Sequence, residues 1–232
     1  MMSRIIIILT IFRRFSIFLT KFYALFYNKY IVNFKRNFFM AIKLVSCIGD
    51  KDLCRKFKKL YIKSFPAEER APYLLLLNRA KKGKADMFCA ISGDEFMGIL
   101  YMLSDEKIAY IFYLAVNEEK RGKGIGGEIL SAMKDYYKGK RIFLARERIE
   151  KNSPNFNERI KRRNFYIRNG FTDYPDRFIR EGIVVYAFMG IGGAVSAEEY
   201  DILIKNWIGK FLTRTVRLEI IEKNTEEYNE DI

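Results

Sequence analysis

The chain has 232 residues, 50% of them hydrophobic and 30% charged. That suits one well-cored domain with an extension and excludes a disordered chain. It contains no histidine, which removes Ser-His, Cys-His and His-metal chemistry together and leaves acid–base work to Glu, Asp, Lys, Tyr, Cys or water. Its formal charge of +14 points to nucleic acid, anionic lipid or a phosphorylated ligand, but residues 1–40 hold seven Lys or Arg and no acid, so half of the excess sits there.

Residues 1–39 alternate apolar blocks with basic residues and keep neither a helical nor a strand period. The longest uncharged run, Ile5 to Phe12, is far short of the roughly 18 apolar residues a membrane span needs. A secretory signal would use that run, yet Arg13 and Arg14 follow it and no small-x-small cleavage site appears. A basic membrane-surface segment is a second reading. The third, which we favour, rests on composition. Ile, Phe, Lys, Asn and Tyr, the residues with the most AT-rich codons, make up 24 of the first 40 residues against 76 of the remaining 192. Translated upstream DNA would give this bias, with Met40 as the start.

From there Ala41–Ile48 reads as a strand, and Asp50 as the cap of a helix with Leu53, Phe57, Leu60 and Tyr61 on one face. Pro66 ends it, and Ala67–Lys81 reads as short helical turns. Asp86–Ile91, Phe96–Leu103 and Ile108–Val116, separated by SGDE and SDEK, read as an antiparallel meander. A helix then carries Ile125, Ile129, Met133 and Tyr136, followed by strand Arg141–Ala145 and helix Glu158–Asn169 with an Asn169-Gly170 end. Phe171–Tyr174 and Ile183–Met189 are the last strands, and Glu222–Ile232 a polar tail. Ser196-Ala-Glu-Glu199 is a capping box ahead of an amphipathic helix bearing Tyr200, Leu203, Ile204, Trp207, Ile208, Phe211 and Leu212. The three cysteines, Cys47, Cys54 and Cys89, form no C-x-x-C, which argues against a disulfide framework or thiolate zinc site and for a reducing cytosol.

The informative stretch is Tyr113–Leu130, YLAVNEEKRGKGIGGEIL. A strand enters a loop holding Gly122, Gly124, Gly126 and Gly127 interleaved with Arg121 and Lys123, and a helix opens inside it. Glycines let backbone N–H groups approach a ligand, and a helix N-terminus adds oriented donors, so the loop suits a pyrophosphate. Gly122 to Gly127 also satisfies G-x-G-x-x-G, with Glu147 20 residues on. However, Asn117 to Arg121 intervene between strand and glycine, and a meander precedes them where a dinucleotide fold would have βα units. No G-K-[ST] follows at Walker A spacing.

Arg121-Gly-Lys-Gly124-Ile-Gly126, preceded by Leu114-Ala-Val116, resembles the acetyl-CoA motif of the GNAT superfamily of N-acetyltransferases. Phe165-Tyr166-Ile-Arg-Asn-Gly170-Phe171 resembles a second pattern of that family, and order and separation also fit over about residues 41–190. The resemblance implies an α/β (α+β) fold with a mixed, mostly antiparallel central sheet flanked by helices, here with an extra C-terminal amphipathic helix. It implies that the backbone of Arg121, Gly122, Lys123, Gly124, Ile125 and Gly126 wraps the CoA pyrophosphate. Leu114, Ala115 and Val116 would bind the pantetheine arm where their strand splays from the next. Tyr166 would protonate the departing thiolate. The base is left between Glu147, at a strand end facing the slot, and Glu69, where the family lines its acceptor site; a solvated surface carboxylate is the bland alternative for each. The family's Asn seven residues before the Tyr is Arg159 here, a departure that leaves that contact unassigned.

The expected organisation is a basic apolar extension over 1–39, an acetyltransferase domain over 40–191 and a C-terminal helix and tail over 192–232. The expected activity is acetyl transfer from acetyl-CoA, as co-substrate and without metal, to a small primary amine by direct attack in a ternary complex in the cytoplasm. A CoA-binding module without turnover, a dinucleotide-dependent oxidoreductase and a basic membrane-associated protein are the alternatives. No specific nucleic acid is expected. Glu68 and Glu69 favour a cationic acceptor. The Ser196–Leu212 helix is read as packing or a homodimer surface, and Arg159–Arg163 as a solvated helix face or a contact for the CoA 3′-phosphate. If Met40 is the start, mass spectrometry of the native protein will find no peptide from before Met40; one such peptide overturns that reading.

Overall fold

The computed structural model describes residues 41–181, 184–209 and 219–222. The readings for residues 1–39, for Ile183, for Phe211 and Leu212 and for the tail beyond Glu222 lie outside the described residues.

Strand β1 (Lys43–Ser46) leads to helix α1 (Lys51–Ser64), a 3-10 turn (Ala67–Glu69) and α2 (Tyr73–Lys81). The meander β2 (Asp86–Ser92), β3 (Glu95–Ser104) and β4 (Ile108–Val116) follows, then a 3-10 turn (Glu118–Lys120), α3 (Ile125–Tyr136) and β5 (Arg141–Glu147). Helix α4 (Phe156–Arg168), β6 (Thr172–Glu181), β7 (Val184–Ile191), α5 (Ala197–Ile208) and β8 (Glu219–Glu222) complete the order. The strands form one eight-stranded sheet in the order β1-β2-β3-β4-β5-β7-β6-β8. The β4–β5 pair is parallel, as its α3 crossover demands, and the other pairs are antiparallel. The mixed, mostly antiparallel sheet expected from the sequence is present.

Two strands depart from expectation. β6 runs on through Pro175 to Glu181, where the sequence reads as ending at Tyr174. The strand accommodates the proline because its ladder with β7 shifts register between Asp173 and Phe178, which relieves the need for a ladder N–H. β8, four residues paired with β6, is too short to carry a readable period.

Each face of the sheet buries its own core. On one side Phe57, Leu60 and Tyr61 of α1, Leu76 of α2 and Tyr200, Leu203, Ile204, Trp207 and Ile208 of α5 pack on Tyr101, Ile108 and Phe143. On the other, Ile125, Ile129, Leu130 and Met133 of α3 pack on Leu100, Met102, Ile111 and Leu144, with Phe165 and Tyr166 of α4 at the margin. Asp50 caps α1 by accepting from the N–H groups of Asp52 and Leu53, as its spacing predicts.

The apolar face of α5 is spent within the chain. Trp207 donates its indole N–H to the Tyr101 hydroxyl across 3.1 Å, and Arg79 of α2 reaches the Ile208 carbonyl. The capping box is complete: Ser196 Oγ accepts from Glu199 N–H (3.1 Å) and Glu199 accepts from Ser196 N–H (2.9 Å). Glu199 also pairs with Arg141 at the start of β5, which ties the helix to the sheet. Arg141 is the chief reason that the Glu199 carboxyl is held down at about 2, with the Ser196 N–H adding to it.

A folded-state pKa below the unfolded one gives stability that is present above the ordinary carboxylate range and lost as pH falls through the folded value. Denaturant titration of Glu199→Gln should therefore show a deficit at pH 7 that shrinks between about pH 4.5 and about pH 2; a deficit constant across that window would contradict this. Ser196→Ala should cost about 1 kcal/mol at neutral pH.

Candidate active site

β4 is built to open. Its ladder with β3 pairs Tyr101 with Tyr113 and then Met102 with Ile111, so Phe112 is an extra, bulged residue. Side-chain alternation slips there: Phe112 and Tyr113 both join the core under α1, after which Leu114 and Val116 face the α3 side. Parallel pairing with β5 stops at the same place, at Ile111 opposite Leu144. Beyond it Ala145, Arg146 and Glu147 pair only with β7, while β4 from Tyr113 to Val116 pairs only with β3. The two strands thus leave facing edges unpaired, with Phe112, Leu114, Val116 and Ala145 partly exposed.

At the end of that opening lies the glycine loop. Gly122 and Gly124 have φ of 74° and 81°, a region that side chains rarely adopt, and a Cβ at either would meet nothing within 4 Å. Gly124 is the N-cap of α3 with no side chain to cap it, and the first bonds back to its carbonyl come from Gly127 and Glu128. The N-terminal N–H groups of such a helix lack intrahelical partners and favour an anion. Arg121 donates to the Val116 carbonyl (3.2 Å) and Lys123 to the Glu119 carbonyl (3.0 Å), and both side chains stay exposed at the rim. Open space, positive φ and uncapped donors fit a pyrophosphate.

The two sequence motifs meet. A Cβ on Gly126 would stand 3.0 Å from the Phe165 ring, and one on Gly127 3.0 Å from Asn169 Oδ1. Asn169 in turn donates to the Phe165 carbonyl (2.8 Å), and Lys134 of α3 reaches the Asn169 carbonyl (3.3 Å). Helix α4 therefore docks directly on the loop. Tyr166 is half-buried between the rings of Phe165 and Phe171, at 5.1 and 5.5 Å between centroids. Burial pushes its phenol up to about 12, only partly offset by Arg162. It keeps its proton throughout the neutral range.

Glu147 and Glu69 have different surroundings. Glu147 is buried, and its two carboxylate oxygens accept from Arg159 and Arg162 of α4, each at 2.9 Å, with Asn155 Nδ2 at 3.3 and 3.4 Å. Glu69 lies exposed in the turn before α2, with no ion pair to Arg or Lys within 4 Å among the described residues. Partial desolvation is the largest influence raising its carboxyl above the ordinary range; the charge of Glu147 adds to it, and Arg162 opposes it. The turn itself is held on β4: Tyr113 OH donates to the Glu69 carbonyl and accepts from the Ala71 N–H, each at 2.9 Å.

The basic run Arg159–Arg163 corrects the solvated-face reading. Arg159 and Arg163 are 13% and 21% exposed, and Arg163 and Arg146 share Asp173 at 2.7 Å each. Three cations of one helix are thus matched to carboxylates at the ends of β5 and β6. The pairing was invisible in sequence because Glu147 and Asp173 come from different strands. Among the described residues no cluster of Cys, Asp and Glu could hold a metal ion, and no helix is long and apolar enough to cross a membrane.

Residues 83–173 match the family model described as an acetyltransferase (GNAT) domain. No curated protein sequence matches the chain. Among solved structures, one from Bacteroides thetaiotaomicron assigned to the GNAT acetyltransferase family aligns over 74% of this chain and 97% of its own, at 20% identity and a TM-score of 0.58. An aminoglycoside 6′-N-acetyltransferase complexed with coenzyme A aligns over 65% of this chain and 96% of its own, at 12% identity and a TM-score of 0.51. These likenesses carry the fold, and over residues 83–173 the chain is similar to a GNAT acetyltransferase domain.

Proposed function

We propose that the protein transfers the acetyl group of acetyl-CoA to a primary amine held between the β4–β5 opening and the turn bearing Glu68 and Glu69. The observation that carries this reading is the opening past Ile111 and Leu144 with an uncapped, glycine-rich helix start at its end. Leu114, Ala115 and Val116 would bind the pantetheine arm through their free backbone edge, and the backbone from Arg121 to Gly126 the pyrophosphate. The co-substrate supplies the acetyl group as a thioester.

The amine nitrogen bonds to the acetyl carbon as the carbon–sulfur bond breaks. We assign Glu69 to take the proton of the ammonium, directly or through water, because its carboxylate is open to solvent while both oxygens of Glu147 are occupied by arginines. Glu147 then positions α4, and Tyr166 on that helix gives its phenolic proton to the leaving sulfur and recovers it, through water, from the second proton that the acylated nitrogen sheds. The aminoglycoside acetyltransferase likeness and the pair Glu68 and Glu69 favour a cationic acceptor. The meander ahead of the loop is not a βαβ unit and does not favour a dinucleotide.

Calorimetric titration with acetyl-CoA, with NADH and NADPH as controls, tests the cofactor. Binding that weakens about 100-fold on Gly124→Glu is expected from strain at positive φ and a repelled phosphate; nicotinamide binding without CoA binding would overturn the reading. Tyr166→Phe should lower kcat by about 100-fold with acetyl-CoA affinity kept, and an unchanged rate removes its acid role. A base acts only when deprotonated, so kcat/KM for the amine should fall as pH drops through a value above the ordinary carboxylate range. Glu69→Gln should abolish that limb, and no basic limb from Tyr166 should appear until pH approaches about 12.

A further variant probes the meeting of the motifs. Gly126→Ala places a methyl 3.0 Å from the Phe165 ring, which must shift to make room, so it should lower both acetyl-CoA affinity and kcat. Loss of affinity alone would mean that α4 does not depend on the loop.

A further inference from the structure

The acidic turn has little to hold it in place. None of Ala67, Glu68 and Glu69 is buried, and the turn's own bonds are two backbone contacts, Glu69 N–H to the Pro66 carbonyl and Arg70 N–H to the Ala67 carbonyl. Its C-terminal side is gripped by hydroxyls from below. Tyr113 donates to the Glu69 carbonyl and accepts from the Ala71 N–H, and Tyr61 of α1 donates to the Ala71 carbonyl, all at 2.9 Å. Both backbone polar groups of Ala71 are thereby satisfied by tyrosines. The Tyr113 ring is fixed in turn by edge-on contacts with Tyr61 and Phe65, each 4.8 Å between centroids.

Tyr113 can do this because of the bulge. The extra residue Phe112 shifts the strand's alternation, so Tyr113 faces the α1 side within the stretch of β4 that lies unpaired toward β5. A single buried hydroxyl thus links the acidic turn to the strand proposed to hold the thioester. We propose that Tyr113 is a positioning residue that sets the distance between the acceptor-side carboxylate Glu69 and the cofactor strand. The inference rests on the acetyl-transfer reading for what Glu69 and β4 do, but the clamp itself is independent of that reading.

The test uses the full chain with Tyr113→Phe, Glu69→Gln and the double variant. The probes are acetyl-CoA and a panel of spermidine, lysine, kanamycin and an alanine-starting peptide. Tyr113→Phe should bind acetyl-CoA within about 2-fold of the parent while losing about 10-fold in kcat/KM for the amine, the loss of one buried hydrogen bond. If Tyr113 acts through Glu69, the double variant will be no worse than Glu69→Gln alone, whereas a general structural role gives additive losses. Hydrogen exchange at the Ala71 amide should quicken about 10-fold in Tyr113→Phe. Ala71→Pro, which removes the donated N–H and leaves Tyr113 intact, should reproduce the kinetic signature if Tyr113→Phe does not fold. Additive losses or unchanged Ala71 exchange overturn the proposal. A parent that binds no acetyl-CoA or acetylates none of the amines defeats the acetyl-transfer reading instead, and Ala71 exchange still decides the clamp.

Discussion

One extra residue in β4 governs the arrangement of the whole site. Phe112 stands unmatched against β3, and a bulge of this kind bends its strand and strengthens the local twist. Up to Ile111 the strand belongs to a continuous sheet, hydrogen-bonded on both edges. After it, β4 follows β3 and β5 follows β7, so backbone groups that would have completed a ladder are left facing each other across an opening. Buried backbone groups need partners, so a gap of this kind suits a ligand able to supply them. The same shift decides which side chains face which layer, sending Tyr113 toward α1 and Leu114 and Val116 toward α3.

The elements around the opening are fixed by different forces. The glycine loop is held to α4 by close packing, where Gly126 leaves room for Phe165 and no more. Helix α4 is held to the sheet mainly by charge: Glu147 takes Arg159 and Arg162, while Asp173 takes Arg146 and Arg163. Buried ion pairs of this sort offer little net stability over apolar packing, but removing one partner strands the other, so they fix geometry strictly. The helix carrying Tyr166 buries no residue fully, which explains why it relies on them. The opposite layer is held by aromatic contacts and by phenol and indole hydrogen bonds, as at Tyr101 with Trp207 and Tyr113 with Ala71.

Much of this was legible in the residues. Asp50, the capping box at Ser196 and the Asn169-Gly170 end announce helix limits through local hydrogen-bond chemistry that operates over four residues. The apolar period of α5 and the polar turns of the meander place those elements without reference to anything distant. The glycines from Gly122 to Gly127 mark a loop that needs positive φ, and Gly122 and Gly124 adopt it, while Gly126 and Gly127 give way to Phe165 and Asn169 of the α4 end.

What the sequence could not express were relations between segments far apart in the chain. Glu147 reads as a free carboxylate at a strand end; only the fold sets it 2.9 Å from two arginines that follow it by 12 and 15 residues. Tyr113 reads as one more aromatic in an apolar strand, and its hydroxyl acquires a purpose only when a turn 44 residues earlier is laid over it. The continuation of β6 past Pro175 and the pairing of β8 depend likewise on a neighbouring strand being available. Local stereochemistry and hydrophobic period act within a few residues and are written in the residues themselves. Ion pairing, strand register and the opening between β4 and β5 are set by which surfaces the folded chain brings together, and that was decided by the tertiary structure alone.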